Sequence, residues 1–403
     1  MGKKRINKQY HTDKRQVFCI GCKGIPAKYG GFETFVENLT FCRKSDKLRY
    51  HVATISNEDS RYQYNGAKCY NVKVPEIGPA KAIIYDIKAL ARAVRYCEER
   101  PSIDKPIFFI MACRIGVVIR HYKKKIEKIG GKLYINPDGH DWERRKWSAP
   151  VRMYWKLSER LMIKHADRVI CDSKEIEKYI NKEYSAYNPS TTFIAYGADL
   201  SRSTYADDDF KFTEWLSEQE TRPYEYYLVV GRFVKENNFD IIIKEFLKSS
   251  SDKKLIIITT ENDKLLQEFD DRLHFLDSGR VTVADSVYDK QLLKKIRENA
   301  YAYIHGHEVG GTNPSLLEAL ASTDVNLVLD VSYNHEVAEE AAVYWDKDGR
   351  NLSEVISSVD NMQQERRAEL GGLAKKRISD EYTWESISGK YEKEFLVDYH
   401  AGL

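Results

Sequence analysis

The sequence predicts an α/β protein built from two Rossmann-like domains in series, each with a parallel sheet covered by helices on both faces. Three observations favour this class. Short apolar runs alternate with longer amphipathic stretches along nearly the whole chain. A polar segment at 199–223, which contains an acidic run at 207–209, interrupts this alternation once. The length of 403 residues suits two domains of ordinary size.

The first domain, expected at 1–200, opens with an apolar run, a glycine-rich loop and an amphipathic stretch. This order is typical of a strand, a loop and a helix. The same alternation then repeats along the domain. Strands are predicted at 17–20, 50–55, 107–111, 132–136, 168–171 and 192–195, and helices at 33–43, 80–99, 114–129, 152–165 and 174–184.

The second domain is expected at 201–383, after the polar segment, which we interpret as the domain junction. Strands are predicted at 226–230, 254–259, 281–283, 302–305 and 326–330, and helices at 238–249, 290–299, 314–322 and 336–341. A last helical region begins at residue 352. Its final helix, at about 384–403, is expected to return to the first domain.

Composition excludes several functional classes. Lys and Arg number 64 against 61 Asp and Glu, a net charge of +3, so nucleic acid is not an expected partner. The seven cysteines show no disulfide framework, and the lone pair Cys19 and Cys22 lacks a second pair to complete a metal site. The sequence contains no run of about 18 apolar residues, so no membrane span is predicted. The basic N-terminus is not followed by an apolar stretch, so we expect a cytoplasmic protein.

Gly30 and Gly31 close the first glycine-rich loop, directly before a predicted helix. Glycines at such a turn let backbone N–H groups approach an anion, and the helix dipole favours negative charge there. The spacing matches neither the dinucleotide-binding motif nor the P-loop. A turn that merely packs tightly explains the glycines equally well.

The second domain carries two further elements suited to phosphate. Arg232 directly follows the strand at 226–230, and its guanidinium fork matches a diphosphate, although a surface salt bridge is the alternative. The segment 310–319 follows the strand at 302–305, and Pro314 suits the first turn of a helix. Glu318, one turn into that helix, could accept hydrogen bonds from ribose hydroxyls. Together these elements predict a nucleoside-diphosphate ligand.

Several sequence blocks carry a family resemblance: GIPAKYGGFET at 24–34, NPDG at 136–139, GRF at 231–233, HGH at 305–307 and VGGTNPSLLEA at 309–319. They resemble bacterial rhamnosyltransferases of capsule and cell-wall polysaccharide synthesis, which are similar to family 4 retaining glycosyltransferases. The resemblance implies the GT-B fold, with two Rossmann-like domains facing each other across a cleft. It further implies dTDP-β-L-rhamnose as donor, a polyprenyl-diphosphate-linked sugar as acceptor, a β-1,4 product bond and no metal or other cofactor.

The sequence departs from the wider family at two positions. The lysine expected five residues after Arg232 is Asn237, which leaves the second phosphate charge to Lys235 or to another group. The family's paired glutamates are eight residues apart, and counting back from Glu318 reaches Gly310.

The resemblance therefore implies that backbone N–H groups of Gly310, Gly311 and Thr312 contact the donor sugar in place of the missing glutamate. The helix start at Asn313 and Ser315 is expected to neutralise the departing diphosphate together with Arg232.

Three further residues are candidates for catalysis. Asp138 and His140 follow the strand at 132–136, where Asp138 is expected to orient or deprotonate the acceptor hydroxyl and His140 to contact the donor. An Asx-type turn with an exposed histidine is the alternative. Tyr196, at the end of the domain's last strand, is expected to face the cleft, although a buried hinge aromatic would fit the same position.

Basic and aromatic residues interleave at 142–147 and 152–156. With the lysines at 123–125 and the basic N-terminus, they are expected to hold the protein peripherally on the inner face of the cell membrane, although a solvated helix face is the alternative. Two other functions remain open from the residues. One is a nucleotide-sugar epimerase of similar fold, and the other is a non-catalytic nucleotide- or RNA-binding protein.

Overall fold

The chain divides into two units in the computed structural model, which describes residues 14–28, 30–143, 147–260, 262–349 and 351–399. One unit combines residues up to 142, residues 148–194 and the C-terminal segment from 385. The other unit holds residues 195–384 together with residues 143 and 147. Each unit is built on one sheet of mostly parallel strands.

The sheet of the first unit has the strand order β3-β4-β2-β1-β5-β6-β7-β8 in the described residues. Only the edge strand β3 is antiparallel to its neighbour. The strands are β1 (Arg15–Ile20), β2 (Leu48–Ile55), β3 (Arg61–Tyr64), β4 (Ala67–Val72), β5 (Ile107–Met111), β6 (Lys132–Asn136), β7 (Arg168–Cys171) and β8 (Thr191–Phe193).

Helices cover both faces of this sheet because its central strands are apolar on both sides. They are α1 (Gly31–Phe41), α2 (Lys81–Glu98), α3 (Gly116–Lys128), α4 (Ala149–His165) and α5 (Lys174–Glu183). Phe35 of α1 lies 6.3 Å from Phe109 of β5, centroid to centroid. On the opposite face, Tyr96 of α2 lies 5.9 Å from Phe18 of β1.

The last helix, α14 (Trp384–Leu396), belongs almost entirely to the first unit. The ring centroid of its Tyr391 lies 4.9 Å from that of Phe35. Its Phe395 lies 5.6 Å from Phe109. The buried Arg15 donates from Nη1 to the carbonyl of Phe395 at 2.8 Å. Helix α14 therefore completes the aromatic core on the α1 face.

The second unit has the strand order β11-β10-β9-β12-β13-β14, all parallel in the described chain. Its strands are β9 (Tyr226–Val230), β10 (Lys254–Ile258), β11 (Val281–Ala284), β12 (Ala302–His305), β13 (Asn326–Leu329) and β14 (Val343–Trp345). Its helices are α6 (Phe210–Glu218), α7 (Phe239–Lys248), α8 (Asp263–Leu273), α9 (Lys290–Glu298), α10 (Pro314–Ser322), α11 (Ser332–Ala338), α12 (Leu352–Asp360) and α13 (Gln364–Glu381).

Several elements differ from the sequence prediction. The expected junction at 199–223 contains α6, whose Phe212, Trp215 and Leu216 are buried. The β3–β4 hairpin was not predicted, although its Asn65-Gly66 turn, with φ of 48° and 71°, carries the usual signal for a two-residue hairpin loop. Helix α8 and the short strand β14 were also missed.

Candidate functional site

The candidate ligand site of the second unit lies where β9 and β12 end. The two strands are parallel neighbours, with Tyr303 paired to Leu228. Their carboxyl ends therefore meet at one edge of the sheet, where open α/β sheets bind ligands. Arg232 follows β9, and the loop at 306–313 connects β12 to the start of α10.

Arg232 presents an exposed guanidinium on a fixed backbone. Its side chain makes no ion pair or hydrogen bond with the described residues. Its carbonyl accepts from Asn237 Nδ2 at 2.7 Å and from the Val234 N–H at 2.8 Å. Nearby, Lys235 is exposed and its Nζ lies 3.2 Å from the Glu268 carboxylate. An exposed pair of this kind is weak, so a phosphate could compete for Lys235.

Asn237, which stands where the family has lysine, joins the two loops of this site. Its Oδ1 lies 2.7 Å from Nδ1 of His307, in the loop after β12. Because Nδ2 of the same amide donates to the Arg232 carbonyl, Oδ1 is the acceptor and the His307 Nδ1 carries the proton. Nε2 of His307 is directed toward Gly310, since a Cβ placed on that glycine would lie 3.6 Å from it. Sequence reasoning missed this contact, although His307 stands in the HGH block.

The start of α10 has the features of an anion-binding helix N-terminus. Gly310 has φ of +125°, a backbone conformation that side-chain-bearing residues rarely adopt. Asn313 caps the helix by accepting the Ser315 N–H at 2.9 Å, and Pro314 is the first helical residue. Thr312 is buried, while Gly311 is half-buried. The loop therefore brings backbone amides and a helix dipole to the edge that carries Arg232.

Ser315, expected to contact phosphate, is hydrogen-bonded within the unit. Its hydroxyl donates to the Val230 carbonyl at 3.0 Å and lies 2.9 Å from the Tyr303 hydroxyl. Its N–H is bound by the Asn313 cap. Both hydrogens of Ser315 are therefore used inside the unit, and the residue ties α10 to the end of β9.

Glu318 is held by an internal cation. Its Oε2 lies 2.7 Å from Nη2 of Arg297, whose side chain is only 5% exposed. The Glu318 side chain is 39% exposed, so its other oxygen remains accessible to a ligand. Glu308, by contrast, pairs with Lys347 and accepts from Asn238 Nδ2 at 3.2 Å. Glu308, two residues before the position of the family's first glutamate, therefore has partners within the unit.

In the first unit, the glycine-rich loop after β1 is braced from within. Glu33, in the first turn of α1, accepts from the Lys23 N–H. Glu37, one turn on, accepts from the Ala27 N–H at 3.1 Å. Gly30 has φ of +124°, and a Cβ there would overlap the Glu33 carboxylate. Because carboxylates already occupy these loop amides, the expected anion contact of Gly30 and Gly31 would depend on the remaining N–H groups.

Arg114, which sequence reasoning missed, supports the same loop from the end of β5. Its Nη1 donates to the Gly21 carbonyl at 3.0 Å and pairs with the buried Asp86 at 3.1 Å. Burial raises the pKa of Asp86 to about 6, and the Arg114 charge opposes this rise. The pair is a buried ionic contact directly beneath the loop. Its sequence signal was only a single arginine after a predicted strand.

Asp138 lies in a conformation that is uncommon for a residue with a side chain. Its φ is +62°, and its N–H donates to Asn136 Oδ1 at 2.8 Å. Its own Oδ1 accepts from the Gly139 N–H at 2.9 Å. The Asx-type turn is therefore present, but Asn136 forms it. The Asp138 side chain is half-buried at the carboxyl end of β6, and local strain of this kind is frequent at functional sites.

His140 is not the exposed histidine of the alternative interpretation. It is half-buried, and its ring lies edge-on to Tyr179 with centroids 4.3 Å apart. The Tyr179 hydroxyl donates to the buried Glu159 at 2.6 Å. Burial raises the pKa of Glu159, while the tyrosine hydrogen bonds and the charges of Lys156 and His140 oppose this rise. An aromatic and acidic cluster therefore fixes the ring of His140.

Tyr196 is buried, with 5% of its surface exposed. Close by, the Ala198 N–H donates to the Tyr382 carbonyl at 2.7 Å. This burial fits the hinge-aromatic alternative better than a position on an open rim.

Some of the residues expected to face the membrane have partners within the first unit, and exposed apolar residues lie on the same helices. Lys156 lies over the Trp142 ring at 4.3 Å, and Lys123 pairs with Asp167 at 2.5 Å, so these residues have partners within the unit. Exposed apolar side chains remain on α3 and α4, where Met153 is 73% and Val117 55% exposed. Residues 144–146 and the basic N-terminus before residue 14 lie outside the described residues.

The described residues contain neither a membrane-spanning helix nor a cluster of metal-ligating side chains. No helix there is both long enough and apolar enough to cross a bilayer. No group of three His, Cys, Asp or Glu side chains in the same residues is placed to hold a metal ion.

Comparison with known proteins gives a partial family match and a clear fold match. Residues 14–199 match a family model described as a domain of unknown function, DUF1972. No curated protein sequence matches the chain. Sucrose-phosphate synthase from Thermosynechococcus elongatus is similar in structure, with a TM-score of 0.77 at 14% identity, and covers 96% of this chain and 100% of its own.

Two further structures show the same likeness. A glycosyltransferase from Rickettsia africae has a TM-score of 0.71 at 10% identity, over 95% of this chain and 98% of its own. Anabaena HepE, solved in complex with UDP, has a TM-score of 0.66 at 12% identity, over 96% of this chain and 100% of its own. The protein therefore has the GT-B fold, with two Rossmann-like units, as the sequence predicted.

Proposed function

We propose that the protein is a retaining glycosyltransferase that moves L-rhamnose from dTDP-β-L-rhamnose to a polyprenyl-diphosphate-linked sugar, GlcNAc or Glc, in bacterial surface polysaccharide synthesis. One observation carries the proposal. The exposed guanidinium of Arg232 and the N-terminus of α10 follow adjacent parallel strands, β9 and β12, at one edge of the second unit. The donor and the acceptor come from the sequence resemblance, and the GT-B fold is compatible with both.

In this proposal the second unit binds the nucleotide sugar. Arg232 and the amides at the start of α10 neutralise the charge that develops on the leaving diphosphate as the glycosidic bond breaks. Lys235 adds a second cation by exchanging its surface partner for phosphate. Glu318, fixed by Arg297, accepts hydrogen bonds from the ribose hydroxyls. No metal or other cofactor is part of the proposal.

His307 is added to this scheme as a contact to the donor sugar. Asn237 fixes its tautomer, so a neutral ring has Nε2 as its hydrogen-bond acceptor. That atom is directed toward Gly310, which stands at the sequence position of the family's first glutamate. The two departures from the family are therefore linked, because the residue replacing lysine orients the ring beside the glycine that replaces glutamate.

The first unit is proposed to bind the acceptor. Asp138 orients or deprotonates the attacking hydroxyl, and the ring of His140 lies two residues further along the same loop. Retention would follow from attack on the face that the leaving group departs from, as the resemblance implies. The exposed apolar residues of α3 and α4, with neighbouring lysines, would hold the protein peripherally on the cytoplasmic face of the membrane where the lipid-linked acceptor lies.

The function is tested by a product assay. The protein is incubated with dTDP-rhamnose, UDP-glucose or GDP-mannose and a lipid-diphosphate-GlcNAc or -Glc acceptor, and products are weighed by mass spectrometry. An acceptor heavier by one deoxyhexose supports the proposal. An altered nucleotide sugar formed without any acceptor would indicate an epimerase. Nucleotide binding without any product would indicate a non-catalytic protein.

A further inference from the structure

A cavity of about 820 Å³ lies in the first unit, between helix α2 and one face of the sheet. Its origin is topological. The chain passes from β2 to β4 through the hairpin strand β3 instead of a helix, so α2 is left to cover this part of the face. A volume of this size is within the usual range of small-molecule sites.

The floor of the cavity is a row of side chains across four strands. Phe18 pairs in register with His51, His51 with Lys68, and Lys68 with Gln63. The rings of Phe18 and His51 are stacked at 4.5 Å, and Tyr96 of α2 lies 5.3 Å from His51. Phe18 and His51 are only 1% and 4% exposed, so the half-buried Tyr96 presents the accessible aromatic surface beside the polar groups.

The lining is strongly cationic. Six basic residues line it, Arg61, Lys68, Lys88, Arg92, Arg95 and Arg100, against the two acids Asp59 and Glu99. The acids have partners, since Asp59 pairs with Arg92 at 3.0 Å and Glu99 with Arg100 at 3.4 Å. Arg61, Lys68 and Arg95 make no side-chain hydrogen bond or ion pair within the described residues.

The titration of the floor residues reflects this excess of positive charge. Burial lowers the pKa of Lys68, and the charges of Arg49 and Arg100 lower it further. Burial lowers the pKa of His51 to about 3, with Lys68, Arg49 and Arg100 adding to the effect. His51 is therefore neutral, and its Nε2–H donates to Gln16 Oε1 at 2.8 Å. A bound anion would relieve the repulsion among the cations.

The cavity is separate from the loops that hold the proposed catalytic groups. Its lining includes Asp59 and Tyr62, which follow the carboxyl end of β2, but no described residue of the loops at 24–31 or 136–140. Lys68 and Arg95 lie toward the other edge of the sheet, since Lys68 is at the start of β4 and α2 leads to the start of β5. A ligand in the cavity would therefore occupy a second site.

We propose that this cavity binds an amphiphilic phosphate, in which a phosphate monoester contacts Arg61, Lys68 and Arg95 and an apolar chain or ring lies against Tyr96. Several cations converging on one phosphate give strong charge-assisted hydrogen bonds. The ring of Tyr96 favours an apolar body over a free inorganic ion. The ligand could be a dissolved metabolite or the head of a lipid, because both present this chemistry.

Calorimetric titration of the full-length protein with monodecyl phosphate, below its micellar concentration, tests the proposal. We expect saturable binding, at least about tenfold tighter than inorganic phosphate or decanol, that weakens as salt is raised. No saturation at millimolar probe, or decanol binding as tightly as monodecyl phosphate, would overturn it.

Lys68→Met and Arg95→Gln should each weaken monodecyl phosphate binding about tenfold. Lys68→Met should fold, because it removes a half-buried cation that has no side-chain partner within the described residues, and its melting temperature verifies this. Lys182→Met, an exposed lysine on α5 of the same unit, is the matched control and should bind as wild type. Unchanged binding in both cavity variants would overturn the proposal.

Vesicles of phosphatidylcholine with and without phosphatidic acid then identify the source of the phosphate. Co-sedimentation with phosphatidic acid that is lost in Lys68→Met supports a lipid. Binding of dissolved monodecyl phosphate without co-sedimentation supports a soluble ligand. None of these measurements uses transferase activity, so their outcome is independent of the proposed function.

Discussion

Arg232 combines exposure, full charge and a backbone held by Asn237, which are the properties of a group that stabilises a leaving diphosphate. We expect Arg232→Ala to lower the transfer rate about 10²- to 10³-fold while leaving the melting temperature unchanged, because the exposed side chain makes no hydrogen bond or ion pair with the described residues. Steady-state kinetics and thermal unfolding measure the two effects. Arg202→Ala, an exposed arginine of the same unit, is the control. A folded Arg232→Ala with wild-type turnover would remove the residue from the mechanism.

His307 should affect the sugar more than the nucleotide. His307→Ala is expected to lower kcat/KM with dTDP-rhamnose about tenfold, the effect of one lost hydrogen bond to a hydroxyl, while the Kd for dTDP stays the same. Asn237→Ala should combine a smaller loss of this kind with weaker dTDP binding, because it frees both the ring and the Arg232 carbonyl. His335→Ala, a more exposed histidine on α11, is the control. An equal loss of dTDP affinity would place His307 at the diphosphate instead.

Asp138 is expected to act on the acceptor. Asp138→Asn should suppress transfer at least about 10²-fold, since it removes the group that orients or accepts the proton. Donor affinity, measured by titration with dTDP, should remain unchanged. Because asparagine also tolerates positive φ, the turn should survive. A collapse of donor affinity would show that the loop after β6 belongs to the donor site.

At the scale of elements, the pair of Asp86 on α2 and Arg114 after β5 predicts a pH effect on stability. Burial raises the pKa of Asp86 to about 6, from an ordinary value of 3.8. The folded protein therefore binds this proton more tightly than the unfolded chain. The contribution of Asp86 to the free energy of unfolding should increase as pH falls from about 6 to 4 and decrease as pH rises through that window.

Asp86→Asn should abolish this contribution, which is at most about 3 kcal/mol at about 1.4 kcal/mol per pKa unit. Urea unfolding between pH 4 and 6.5 gives the free energy of unfolding at each pH. The slope of this free energy against pH should differ between wild type and variant. Asp59→Asn, an exposed partner of Arg92, is the control. Identical slopes for wild type and Asp86→Asn would mean that Asp86 titrates normally.

Which elements could be predicted depends on how each buries its apolar residues. The central strands are continuous apolar runs, such as β5 and β9, and the sequence places both correctly. The strand β3 alternates exposed and half-buried residues at a sheet edge, so it has no apolar run to detect. Helix α6 was hidden because the acidic run before it, including its cap Asp209, made the segment look like a linker.

The candidate site was predictable where one residue carries the chemistry alone. Arg232 and the helix start at Asn313 are visible as a strand followed by a charge or a cap. The hydrogen bonds that use up Ser315 and orient His307 join residues that are 85 and 70 positions apart, so no local pattern reveals them. For the same reason, the excess of basic residues around the cavity between α2 and the sheet appears only when β2, β3, β4 and α2 are assembled.

For the whole molecule, the decisive measurement is the choice of donor. Rhamnose lacks the 6-hydroxyl of a hexose, and a site shaped for it need offer no partner there. A hexose would then bury an unpaired hydroxyl at a cost of about 1–3 kcal/mol. We expect dTDP-rhamnose to be used about 10- to 100-fold better than UDP-glucose or GDP-mannose in competition assays. The preference should be the same with and without EDTA, since no metal is part of the proposal. Equal or better use of either hexose donor would refute the rhamnose assignment and leave the GT-B fold unaffected.

Helix α14 also determines when the core of the first unit can be completed during synthesis. The core of the first unit requires Tyr391 and Phe395, which the ribosome adds only after the whole second unit. Until then, Phe35 and Phe109 lack part of their cover, and the nascent first unit exposes aromatic surface. A fragment ending at residue 199, where the DUF1972 match stops, would keep that surface exposed permanently. The first unit is therefore synthesised first, but its core is completed last.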